Sequence, residues 1–424
     1  MNYHIRNLID ARGGKTELII ESGAIAASPT PGAIHQEIDG SGLTVLPGFV
    51  DLHTHLREPG REDAETVLTG SRAAVAGGFT AVSAMPNTLP VADTAGVVEQ
   101  VYRLGQHHSL CDVFPIGAVT LGQEGKHLAE FGAMNQSEAR VRIFSDDGHC
   151  VADPLVMRRA LEYVKTFDGV IAQHAQDPRL TENSQMNEGE ISAKLGLKGW
   201  PAVAEEAIIA RDALLAEHVD SRLHVCHLTT AGGVEIVRAA KKRGVKITAE
   251  VTPHHLILTD DAVESYDPVF KVNPPLRTAR DVEALREALA DGTIDIVATD
   301  HAPHAQEAKD CEWNAAAFGM LGLETAFSIV YSTMVKSGLM SLETLVSRMS
   351  TSPAHIARYS EHGDLAIGAP ANVVLIDLTQ DWVVDRGALH SKSRNTPFHE
   401  MTLPGVIEKT FHNGALVFDR KAAK

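Results

Sequence analysis

Cysteine is scarce in this chain. Cys111, Cys150, Cys226 and Cys311 lie far apart, with no Cys-x-x-Cys pair. That argues against a disulfide framework and for free thiols in a reducing cytoplasm. No apolar run approaches the length of a membrane span, and the opening Met1-Asn-Tyr-His-Ile-Arg6 lacks an apolar signal core. There is no basic block, and the net charge is −17. Nucleic acid and anionic membrane surfaces are therefore poor partners, whereas a small anion held by a few local cations is still possible. No Gly-x-Gly-x-x-Gly follows the first strand pattern, which disfavours a doubly wound dinucleotide fold. Low-complexity tracts and long internal repeats are missing too.

What remains is the balance of an ordinary globular enzyme, 44% hydrophobic and 22% charged, with a core large enough to need no staples. Short apolar runs alternate with amphipathic stretches. Strands are expected at Thr44–His53, Thr80–Met85, Val113–Ala118, Val141–Phe144, Val170–His174, Leu223–His227, Ile247–Val251 and Ile294–Thr299. Helices are expected between them, among them Ala64–Ala76, Pro154–Lys165, Ala202–Leu215, Val234–Lys242 and Asp281–Ala290. Asp153-Pro154 reads as a helix start, and Gly244 and Gly292 as stops. Several strands are apolar throughout, as when helices cover both sides of a sheet. The alternation predicts an α/β fold, a (β/α)8 TIM barrel over residues 47–361. The two ends, 1–46 and 362–424, carry short β patterns and an Asn413-Gly414 hairpin signal. They are expected to join into one small flanking β domain.

Barrel chemistry sits where strands end at their carboxyl edge. His53 and His55, two apart on a strand, share a face. Further along, Asp146-Asp147 follows the fourth strand, His174 ends the fifth, His227 the sixth and Asp300 the eighth. Imidazole with carboxylate suits zinc, and also manganese or cobalt. Six donors exceed one tetrahedral site and fit a metal pair. His224 is out of register with His227 and is expected to pack or meet solvent. His254 and His255 are weaker candidates for the mouth, and His107, His108 and His390 read as surface residues. Arg57 offers a planar fork for a carboxylate. The loop from Pro303 to Gly322 has the length of a lid.

The order of these donors resembles the amidohydrolase superfamily and, within it, the dihydroorotases that use an aspartate in place of a carboxylated lysine. The matching stretches are Pro47-Gly-Phe-Val-Asp-Leu-His-Thr-His-Leu-Arg-Glu-Pro-Gly60, Met85-Pro-Asn-Thr88, Phe144-Ser-Asp-Asp-Gly148, Lys246 to His255, Lys271-Val-Asn-Pro-Pro-Leu-Arg277, Ala298 to His304 and Gly319 to Thr325. The resemblance implies metal ligation by His53, His55, Asp147, His174, His227 and Asp300, with Asp147 rather than Asp146 as the bridge. It implies two zinc ions per subunit and Asp300 as the catalytic base and acid. It also implies contacts from Arg57, Asn87 and His304 to a substrate carboxylate, and from Asn273 to the ring. The expected reaction is the reversible closure of N-carbamoyl-L-aspartate to L-dihydroorotate. The expected state is a cytoplasmic homodimer, with association to another pyrimidine-pathway enzyme as a further option. Two rivals remain: a cyclic amidase of the hydantoinase, dihydropyrimidinase or allantoinase type, and a non-catalytic homologue serving as an assembly partner. Retention of all six donors disfavours the second, and the Arg57 fork disfavours the first.

Overall fold

A computed structural model describes residues 1–422 of the chain. Both ends of the chain meet in one 8-stranded sheet. Its central seam pairs Leu43–Pro47 antiparallel with Val373–Val383, so the first and last parts of the sequence share one ladder. Tyr3–Ile9 continues the sheet on one side; on the other, Thr402–His412 and Ala415–Asp419 form the closing hairpin. The hairpin turns at Asn413-Gly414, both at positive φ (48° and 76°), as a type I′ turn requires.

The run from Thr44 to His53 is not a single strand. It breaks at Gly48: Leu43–Pro47 belongs to the terminal sheet and Phe49–Thr54 to the barrel. The break lies where the chain passes against Thr80, and a Cβ on Gly48 would come within 2.3 Å of the Thr80 side chain. Only glycine permits this crossing, so an unbroken apolar run hides a change of sheet.

The barrel strands are Phe49–Thr54, Phe79–Ala84, Asp112–Pro115, Ile143–Phe144, Val170–Gln173, Arg222–Val225, Ile247–Val251 and Ile296–Val297. They form one 3-stranded and one 5-stranded arc, parallel throughout. Parallel bridges Gly117–Phe144 and Thr54–His301 join the arcs into a ring. The strand pattern at Ile294–Thr299 shrinks to Ile296–Val297, because Thr299 turns its backbone N–H to Asp51 instead of a neighbouring strand. Val50, Leu52, Ala81, Ile116, Ile143, Ala172 and Ile296 fill the interior, and Ala354, Ile356 and Ala357 pack against them from one end. A larger apolar layer lies between barrel and helices.

Helix ends follow local chemistry. Asp153 accepts from the backbone N–H groups of Leu155 and Val156 ahead of Pro154–Val164. Thr278 and Asp281 form a reciprocal cap on Ala279–Asp291, which stops at Gly292. Among the described residues, no helix is long and apolar enough to cross a membrane.

Candidate metal centre and adjoining cavity

The six strand-end donors converge. His53, His55, Asp147, His174, His227 and Asp300 are all buried. Asp147 is the hub. Its Oδ1 lies 3.3 Å from His53 Nε2, 3.3 Å from His174 Nδ1 and 3.2 Å from His227 Nε2, while its Oδ2 lies 3.3 Å from His55 Nε2. Asp300 Oδ1 stands 3.0 Å from His55 Nε2 and 3.5 Å from His53 Nε2. Two donor triads of metal-binding geometry therefore share one carboxylate: His53–His55–Asp147 and Asp147–His174–His227. Asp146 faces elsewhere. Its carboxylate accepts from the backbone N–H groups of Val119 and Thr120 and from the Thr120 hydroxyl.

The donor set fits a cation. His174 Nδ1 and His227 Nε2 face each other at 2.9 Å, and no hydrogen-bonding pattern satisfies three imidazole nitrogens crowded on one carboxylate oxygen. His53 Nε2 and His227 Nδ1 are buried without a hydrogen-bond partner. Electrostatics tell the same story. Burial would raise Asp147 and Asp300, yet the surrounding imidazoles hold Asp147 well below the carboxylate range and Asp300 at about 2. Both carboxylates are thus kept ionised despite full burial.

Neighbours fix which ring nitrogen is offered. His53 places Nδ1 2.5 Å from Glu250 Oε1, which leaves Nε2 toward Asp147. His55 donates from Nδ1 to Asn87 Oδ1 at 2.9 Å, again freeing Nε2. His174 spends Nε2 on Gln176 Oε1 at 2.6 Å and offers Nδ1. Such partners set tautomer and ring orientation in metal sites. Glu250 is the residue that strand-end reasoning missed. It also accepts from His224 Nε2 at 3.0 Å and from the His227 backbone N–H at 3.1 Å. A carboxylate inside the apolar strand Ile247–Val251 was the available signal, because a buried charge requires partners. His224 packs against it inside the barrel. Asp51 and Glu65 are similar buried supports: Asp51 accepts from Thr299 and from the His53 N–H, and Glu65 from Ser391 and Lys392.

Beside the cluster opens a cavity of about 250 Å3. His55, Asp147, His174 and Asp300 line its floor, and Arg57, Asn87, Asn273 and His304 its walls. His53 and His227 sit deeper. Arg57 is buried, and burial lowers it to about 10, so it remains cationic; its Nε donates to the Pro303 carbonyl at 3.0 Å. Asn273 donates to Gln176 Oε1 at 3.2 Å and keeps a buried, unpartnered Oδ1. His304 is less free than the sequence suggested. Its Nε2 donates to the Phe318 carbonyl at 2.7 Å, and burial together with Arg57 and Lys309 lowers it to about 3. The imidazole is therefore neutral, with its N–H already engaged. Gly319, at φ 136°, brings the Phe318 segment against it; a Cβ there would lie 2.9 Å from His304 Nε2.

The expected lid forms this wall through Phe318 and Gly319, and it is stitched down. Lys309 Nζ donates to the carbonyls of Lys271, Ala317 and Gly319, and Lys271 Nζ to that of Trp313. His254 and His255 are buried near the cluster rather than lining the cavity. His390, expected at the surface, is half-buried and pairs with Glu324 at 2.9 Å.

Known proteins extend this picture. A family profile described as Dihydro-orotase-like matches residues 42–232. A dihydroorotase of Streptomyces coelicolor is 65% identical over 378 residues, covering 89% of this chain and 88% of that protein. One from Leifsonia xyli subsp. xyli is 60% identical, covering 96% and 94%, and one from Mycobacterium tuberculosis is 53% identical, covering 95% and 94%. Among solved structures, the L-hydantoinase (dihydropyrimidinase) of Arthrobacter aurescens superposes with a TM-score of 0.88 at 26% identity, covering 99% of this chain and 97% of that one. A dihydropyrimidinase from Brevibacillus agri, at 22% identity and a TM-score of 0.84, shares the fold over 99% of this chain and 96% of its own. With strand-end donors converging on one carboxylate and relatives of this closeness over nearly the full length, the chain belongs to the dihydroorotase family, hydrolases that act on cyclic amides.

Proposed function

We propose that this chain closes N-carbamoyl-L-aspartate to L-dihydroorotate, and reopens it, at a centre of two zinc ions held by His53, His55, Asp147, His174, His227 and Asp300. One observation carries the reading: a buried guanidinium, Arg57, stands in the same cavity as the donor cluster. Neutral ring amides do not need such a fork, whereas dihydroorotate carries a carboxylate beside its ring. When bound, paired divalent ions lower the pKa of water and polarise a carbonyl.

The protein's own groups do the rest. Arg57 and the Asn87 amide N–H2 bind the carboxylate and orient the ring. Asn273 Oδ1, left without a partner, accepts a ring N–H. Asp300 takes the proton of the attacking water and passes it to the departing nitrogen in hydrolysis; in synthesis the order reverses. His304 reaches the carboxylate only if its bond to the Phe318 carbonyl exchanges, which couples substrate arrival to the Pro303–Gly322 segment. A cytoplasmic homodimer, and association with another pyrimidine-pathway enzyme, complete the proposal; light scattering of the purified protein tests the former.

The direct test combines metal analysis by mass spectrometry with an absorbance assay on dihydroorotate. Arg57→Met should raise KM by the equivalent of about 2–5 kcal/mol, the cost of removing one partner of a buried charge pair, with metal content unchanged. Normal turnover by that variant would overturn the recognition reading. Bound metal with turnover of hydantoin and none of dihydroorotate would favour a hydantoinase-type amidase. Neither metal nor turnover would favour the non-catalytic homologue.

A further inference from the structure

The amino end of the barrel, opposite the donor cluster, carries an unexpected concentration of positive charge. In a chain of net charge −17, Arg140, Arg142 and Arg358 line one cavity of about 230 Å3. Arg222 joins Arg358 in the wall of the adjoining cavity of about 520 Å3. The acidic residues on these walls are fewer, Glu361 in the first and Asp364 in the second.

The four guanidiniums are not equally committed. Arg358 pairs with Asp168, and Arg222 donates to the carbonyls of Asp168 and Ile356 at 3.2 and 2.6 Å. The exposed Arg140 and the half-buried Arg142 both line the cavity, and neither makes an ion pair or a side-chain hydrogen bond among the described residues. Arg358 also occupies the position just past the helix Ser352–Ala357 at φ 60°, where glycine would be cheaper. Unpaired arginines gathered at one concave site repel each other and have planar donor forks to spend, which suits an oxyanion such as phosphate.

One wall is aromatic. Tyr359 stacks on Phe114 with ring centroids 3.8 Å apart and planes inclined by 19°. Its hydroxyl is held by Ser83 Oγ at 2.9 Å, so the ring is fixed. A fixed aromatic surface beside a cationic cluster matches a phosphate monoester with a planar group attached. We propose that the cleft formed by Arg140, Arg142, Arg358 and Tyr359 at the amino end of the barrel binds a nucleoside monophosphate, separately from the cavity at the carboxyl end.

The experiment is isothermal titration calorimetry on the metal-loaded protein. The probes are uridine monophosphate, adenosine monophosphate, the two uncharged nucleosides and inorganic phosphate. At least one monophosphate should bind about tenfold more tightly than its nucleoside and than inorganic phosphate, because it alone uses both walls. The double variant Arg140→Ala, Arg142→Ala should weaken that binding by about tenfold or more while dihydroorotate turnover is unchanged. Arg57→Met, altered at the other end, should leave it intact. Three results would overturn the proposal: no binding by any monophosphate, equal binding by the double variant, or loss of binding in Arg57→Met. A fourth would overturn it as well: inorganic phosphate binding as tightly as both nucleotides.

Discussion

The two ends of this barrel are built from the same strands, and each holds a cluster of histidine and aspartate that is satisfied in a different way. At the carboxyl end, imidazoles and carboxylates are buried and crowded around Asp147, and His53 Nε2 and His227 Nδ1 are left without a hydrogen-bond partner. At the amino end, the buried polar groups satisfy each other. Asp112 accepts from His362 Nε2 at 2.9 Å and lies 3.2 Å from His412 Nε2, and His362 Nδ1 meets Thr80 Oγ1 at 3.2 Å. Both clusters combine histidine with aspartate. Only the first lacks a hydrogen-bonding solution of its own, and that lack, more than the residue types, marks it as a site for a cation. The contrast teaches that His/Asp composition is a poor guide and that donor-to-partner accounting is a better one.

If the contrast is real, breaking the hub should do the greatest damage. Asp147→Ala removes the shared donor of both triads. It should strip bound metal and reduce turnover to background, read by metal analysis and the dihydroorotate assay. Asp300→Asn keeps shape and removes the proposed proton carrier, and kcat should fall by about 10²–10⁴, the usual worth of a positioned acid–base, with substrate binding largely retained. Glu250 stands outside the six proposed ligands and holds His53 Nδ1. Glu250→Gln loosens the His53 ring, and metal affinity should drop by about 10–100-fold, measured by competition with a chelator.

The smallest effect belongs to the amino end. Asp112→Asn should cost about 1–3 kcal/mol of stability, from the buried partners left unsatisfied, and should leave metal content and turnover alone. Burial would raise Asp112, but His362 and His412 hold it below its ordinary value. Its contribution is therefore fully present above the unfolded value near 3.9 and is lost as pH falls through the lower folded value. Denaturant curves should separate the variant from the wild type at pH 7 and bring them together in strong acid. A variant that lost turnover at pH 7 would blur the distinction between the two ends.

Much of the carboxyl-end site was legible because strand ends are legible. Apolar runs terminate visibly, and His53, His55, Asp147, His174, His227 and Asp300 each follow one. The hairpin at Asn413-Gly414 was equally plain, since its turn dictates its residues. Three features were hidden for physical reasons. The break at Gly48 depends on its approach to Thr80, which no local pattern reports. The orienting role of Glu250 depends on three strands coming together. The capture of the His304 N–H by the Phe318 carbonyl depends on how a long loop folds back. Each is set by a contact between distant segments, where periodicity carries no information.

The proposed centre is a pair of divalent ions at the Asp147 hub, next to the Arg57 cavity. Crystals grown with zinc and dihydroorotate, measured at the zinc absorption edge, test this most directly. Two anomalous peaks should appear, one between His53, His55 and Asp147 and one between Asp147, His174 and His227, with the ligand carboxylate on Arg57. No anomalous peak at Asp147, or zinc bound only elsewhere on the molecule, would contradict it.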